Sequence, residues 1–149
     1  MNSSRWLILP AAVVAIVIGV IAYVLFARGR SSDEPSVVAW DRDACAACKM
    51  HLGEPAYAAQ IRLTDGSTLF FDDHGCALGM IEELGTRMQK AWFRHLRREQ
   101  WIAGDDVRFV PSSPSPMGFD LGAIDRSEGT GMSLDAAIAK LAERPNDGR

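Results

Sequence analysis

The chain has 149 residues, 16 Lys and Arg against 19 Asp and Glu, and a hydrophobic fraction of 48%. That length allows one domain or two small ones, and three cysteines are too few for a small disulfide scaffold. Setting aside residues 1–30, which carry Arg5, Arg28 and Arg30 and no acid, leaves 13 basic against 19 acidic residues, a net charge of −6 that argues against a general nucleic-acid binder.

Trp6 to Ala27 contains no charged residue. At about 1.5 Å per residue this run can cross a hydrocarbon core of about 30 Å, so we expect an N-terminal anchor over residues 1–30 with a transmembrane helix over about 6–27. Pro10 falls in the first turns, where a missing N–H costs little. Tyr23, Leu25 and Phe26 run straight into Arg28 with no small-x-small cleavage site, which favours an uncleaved anchor. Arg5 on one side and Arg28 and Arg30 on the other leave its orientation unset by charge. No cysteine follows the run directly, which excludes a lipid anchor there.

Ser31 to Ser36, with Pro35, reads as a linker, which we extend over 31–42 before a domain spanning 43–143 and a frayed tail at 144–149. Ala56 to Leu63 and Thr68 to Asp72 flank Thr64-Asp65-Gly66-Ser67, and an Asp-Gly pair between apolar, β-branched runs predicts a β-hairpin. Cys76, Met80, Ile81 and Leu84 recur at helical spacing and Gly85 supplies a stop, so Gly75 to Leu84 is expected to be a short helix. Ala91 to Leu96 and Asp106 to Val110 are expected as strands, with Arg97 to Glu99 open to a helical reading. Pro111 to Pro116 holds three prolines and must be extended or turn-rich. Ser133 can cap a last helix with Leu134, Ala137, Ile138 and Leu141 on one face. The class is α+β.

The densest chemistry lies in Cys45-Ala46-Ala47-Cys48-Lys49-Met50-His51. A two-residue spacer lets both thiolates turn toward one ion, with the Met50 thioether in reach, and that donor set selects a soft monovalent ion such as Cu(I). His74 and Cys76 form a second group at the start of a helix, where the dipole lowers a thiol pKa; Cys76 can equally be a small core residue. Asp72 and Asp73 can cap that helix or orient His74. Met117 lies outside any periodic apolar face, in a loop stiffened by Pro114 and Pro116, and can present its thioether or plug the surface beneath. Three other chemistries compete. A c-type haem would want His where Lys49 stands. A structural zinc site would take the three cysteines with His51 or His74. A thiol oxidoreductase would want the CxxC to open a helix, which Gly53 and Pro55 cut short. Arg94, His95, Arg97 and Arg98, between Trp92 and Trp101, read as a solvated or docking face.

With these residues in view, the chain resembles the NosL family of nitrous oxide reductase accessory proteins over Asp43 to Leu141. The likeness rests on Cys45-Ala46-Ala47-Cys48-Lys49-Met50, Ala58-Ala59-Gln60-Ile61, Asp65-Gly66, Phe71-Asp72-Asp73-His74-Gly75-Cys76, Trp101-Ile102 and Pro116-Met117-Gly118. The resemblance implies two small hairpin-and-helix units of ββαβ type. It also implies a Cu(I)-binding protein on the periplasmic side of the bacterial cytoplasmic membrane that delivers copper to nitrous oxide reductase. Two departures stand out: an apolar helix takes the place of a lipoprotein signal, and Lys49 stands where Gly is common. The reading is a membrane-tethered metallochaperone and not an enzyme, with Cys45 and Cys48 as thiolates, Met50 and Met117 as thioethers, and His74 or Cys76 as substitutes. A structural zinc module and a CxxC oxidoreductase remain the alternatives.

Overall fold

The Asp65 carboxylate accepts hydrogen bonds from the Ser67 N–H (2.8 Å) and hydroxyl (2.6 Å), a side-chain-closed turn that reverses the chain. In the computed structural model, which describes residues 13–24 and 34–143, this turn joins β1 (Ala59–Leu63) to β2 (Thr68–Phe71) in the register Ala59↔Phe71 to Arg62↔Thr68. β3 (Met88–Arg94) pairs with the other side of β1 and β4 (Trp101–Ala103) adds to β3, giving an antiparallel sheet in the order β2-β1-β3-β4. A second hairpin, β5 (Val107–Pro111) with β6 (Leu121–Asp125), forms a two-stranded sheet.

Counting the helix of residues 13–24 as α1, α2 spans His74–Leu84 and α3 spans Leu134–Ala142. α2 turns Ala77, Leu78, Ile81 and Leu84 inward, the period expected of a helix laid on a sheet, and packs against both the sheet and α3. Phe93 from the larger sheet and Phe109 from the smaller meet edge to face at 5.0 Å, so one core serves both. α3 begins where the Ser133 hydroxyl accepts the Ala136 N–H at 3.2 Å. Ser133→Ala is expected to cost ~1 kcal/mol through loss of this cap, measurable as a small fall in Tm with the metal site intact.

The α+β class holds, and β1-β2-α2-β3 is a ββαβ unit. The second hairpin is also followed by a helix, but Met132, just before α3, bridges back to Phe109 in place of a further strand. β4 and β6, neither of them individually assigned as a strand from sequence, are present, and β3 begins three residues before its expected start.

Residues 35–42 are not a free linker, for the globular unit begins at Pro35. Gln60 is fully buried, and a buried amide is costly unless its donors and acceptor are met. Ser36 meets them: its N–H donates to Gln60 Oε1 (2.7 Å) and its carbonyl accepts from Gln60 Nε2 (3.2 Å), while Val38 and Trp40 pack on the core. Of the expected N-terminal anchor, residues 13–24 are described and are helical, and among the described residues no helix is long and apolar enough to cross a membrane. The helix expected over 6–27 extends beyond the described residues at both ends, and the tail at 144–149 lies outside them.

Candidate metal centre

The CxxC segment is a tight loop closed by its own backbone. Ala44 and His51 bridge as an antiparallel pair, the Cys45 N–H donates to the Met50 carbonyl (2.7 Å), and the Lys49 N–H donates back to the Cys45 carbonyl (3.0 Å). Closing so short a loop puts Lys49 at φ 66°, a left-handed conformation that costs an L-residue roughly 1 kcal/mol. The Lys49 ammonium offsets part of this by donating to the Ala46 carbonyl at 2.6 Å. Ala46 in turn donates its N–H to the Phe70 carbonyl (2.8 Å), fastening the loop to the edge of β2. β2 runs into α2, whose N-cap Asp73 lies three residues before Cys76. The sheet edge and the helix start therefore converge on one point.

At that point the sulfur atoms of Cys45, Cys48 and Cys76 all lie within 4.8 Å of one another. With metal–sulfur bonds of about 2.3 Å, three thiolates around one ion sit about 3.8–4.0 Å apart, so the trio closes on an ion with only small side-chain movement. Cys45 is fully buried, Cys76 is 7% exposed and Cys48 is half-buried, so the cluster is reached from the Cys48 side.

Electrostatics fit a cation at this place. The Cys76 thiol donates to Cys45 and, against the cost of burial, this bond with the Asp72 and Cys48 N–H groups draws the Cys45 pKa down to about 4; the Cys48 N–H lies 3.5 Å from Cys45 Sγ. Cys76 is pushed far up because its proton is held in the bond to Cys45 and because it is buried. Cys48 is raised chiefly by desolvation. A soft cation entering the trio would displace the thiol protons that remain there.

The other sequence-derived candidates are placed differently. Met50 lies on the CxxC loop with its side chain 51% exposed. Met117 is half-buried against the core, on the loop that follows β5. His74 is not in the group of ligand atoms that contains the three thiols. It is fully buried among Tyr57, Phe93 and Phe109, with Nδ1 3.0 Å from the Leu121 carbonyl and Nε2 without a partner. Burial pulls its pKa down to about 4, so the ring is neutral. Asp73 caps α2 through the Gly75 N–H (2.9 Å), while Asp72 accepts the Gly53 and Glu54 N–H groups at 2.9 and 3.4 Å and ties the CxxC loop to the helix start. Ser115, which binds the Asp73 carboxylate, was not legible as part of the site. The basic group is a local network: Arg94 lies between the Trp40 and Trp101 rings, and His95, Arg97 and Arg98 all reach Glu128.

Fold and cluster together define an α+β domain that presents three converging thiols at a sheet edge. This architecture is similar to that of the copper chaperone NosL from Shewanella denitrificans, whose crystal structure superposes with a TM-score of 0.53 at 14% identity, covering 72% of this chain and 89% of that one. At that identity the likeness is one of fold. No protein-family model matches the sequence, and no curated protein does.

Proposed function

We propose that the chain is a metallochaperone for Cu(I), held at the bacterial cytoplasmic membrane with its domain on the periplasmic side, which passes the ion to a copper enzyme, nitrous oxide reductase being the client the family resemblance suggests. The observation that carries this is the cysteine trio. Closed structural zinc sites take four protein ligands, whereas among the described residues the cluster of thiol, imidazole and carboxylate donors holds three members, all thiols. Three soft donors, with the Met50 thioether on the same loop as Cys45 and Cys48, match Cu(I) rather than a harder ion. The half-buried Cys48 gives a partner's ligands a route to displace the protein's own, which suits transfer. The fold shared with a protein described as a copper chaperone supports the same reading. Membrane attachment rests on the uncharged run from Trp6 to Ala27, whose described valines and isoleucines are solvent-exposed in isolation and gain by transfer to lipid.

Anaerobic titration of the full chain in detergent with Cu(I) and with Zn(II), each against a competing chelator, tests the reading. One Cu(I) per chain is expected, held against the chelator and with Cu–S scattering in X-ray absorption. Tight zinc binding whose removal unfolds the domain would instead identify a structural zinc module. Rapid disulfide exchange with dithiol proteins and no metal uptake would identify an oxidoreductase.

A further inference from the structure

The residue that starts the Cys76 helix also holds the Met117 loop. Asp73 is fully buried. Its backbone carbonyl accepts the Cys76 N–H (3.1 Å), its Oδ1 accepts the Gly75 N–H (2.9 Å), and its Oδ2 accepts both the Ser115 hydroxyl (2.6 Å) and the Met117 N–H (2.9 Å). Ser115 carries the connection onward: its hydroxyl oxygen accepts the Asp120 N–H (2.9 Å), its own N–H donates to Asp120 Oδ1 (3.1 Å), and its carbonyl accepts the Gly118 N–H (3.1 Å). The turn over Ser115 to Asp120 is thus closed on itself and hung from one carboxylate. Phe119 seats the turn on the first residues of α2, for a Cβ at Gly75 would come within 2.0 Å of the Phe119 ring.

A buried carboxylate is costly unless its oxygens are well bonded. Capping α2 needs only Oδ1. Oδ2 serves the loop alone, and what it holds there is the backbone of a methionine whose side chain packs on the same core cluster as Cys45 and Cys76. An apolar loop could have covered that surface without burying a charge. The carboxylate is explained by a need to fix where Met117 lies relative to Cys76, since both are hydrogen-bonded to the same residue.

We propose that Asp73, acting through Ser115, is a positioning residue that sets the Met117 thioether against the thiol trio and so governs how firmly the site grips its cargo. This rests on the Cu(I) reading above. The test is a double-mutant cycle in the full chain, with Ser115→Ala, Met117→Leu and the combination, reading Cu(I) affinity by chelator competition and the Cu–S shell by X-ray absorption. Ser115→Ala and Met117→Leu are each expected to weaken Cu(I) about tenfold or more, and the double variant no further than Met117→Leu alone. Ser115→Thr, which keeps the hydroxyl, is expected to restore binding. If Ser115→Ala does not fold, Asp73→Asn takes its place in the cycle with the same expectation. Losses that multiply, or a Ser115→Ala protein with unchanged affinity, overturn the proposal. So does a silent Met117→Leu in a protein whose Cu(I) binding is abolished by Cys48→Ala, which leaves the Cu(I) reading standing. A wild-type chain that takes up no Cu(I) fails that reading itself, and the positioning role with it.

Discussion

Cys45→Ser is expected to lower Cu(I) affinity by more than about a hundredfold, beyond the range seen when only an outer partner of a metal ligand is lost. Cys45 is the sulfur on which the others converge: it accepts the Cys48 N–H, pairs with the Cys76 thiol, and is the thiol whose pKa its neighbours draw down. Serine is close to cysteine in size, so the loop's backbone bonds from Cys45 to Met50 and Lys49 survive and the fold is expected to hold, as circular dichroism would show. A hydroxyl neither ionises near neutral pH nor suits a soft cation. Met50→Leu should cost far less, because Met50 is half-exposed and lies outside the trio's enforced geometry. Chelator competition on the three proteins gives the ranking. A Cys45→Ser protein that still holds Cu(I) as the wild type does would remove the trio from the mechanism.

What could be read from the chain depended on how local the cause was. The first hairpin and the last helix were legible because Asp65-Gly66 and Ser133 act within two or three residues of themselves. β6 was not assigned from sequence, and it contains a glycine, which weakens a strand signal; a Cβ at Gly122 would come within 2.8 Å of Leu96 and 2.9 Å of Ser112, so the glycine marks close strand packing. β4 is only three residues long and exists because β3 supplies its partner. In the site, the CxxC spacing disclosed Cys45 and Cys48, but Cys76 joins them only because β2 carries the chain from the CxxC loop's anchor at Phe70 to the start of α2. Ser115 is joined to Asp73 across 42 positions of sequence, and no spacing rule reaches that far.

Acid is expected to destabilise the domain through His74. The imidazole is fully buried and donates from Nδ1 to the Leu121 carbonyl while Nε2 makes no hydrogen bond, and the cost of burying a charge outweighs the opposing pull of Asp73 and of the Ala58 and Arg94 backbone, so a second proton is disfavoured. Its folded pKa falls to about 4 against an ordinary 6.5. Between these values the unfolded chain binds a proton at this residue and the folded chain does not, so stability contributed by the neutral ring is full above pH 6.5 and declines as pH falls toward 4. A shift of that size corresponds to about 3 kcal/mol at the acid limit. Asp72, pushed up by burial, works in the opposite sense, and Cys45, drawn down, works in the same one. The His74 share is isolated by comparison with His74→Gln, whose amide can still donate to Leu121 but does not titrate. Urea unfolding of both proteins at pH 7.5 and pH 4.5 should show the wild type losing more stability than the variant over that interval. Parallel profiles would mean that the ring accepts its second proton without cost, and that Nε2 meets a partner or water when charged.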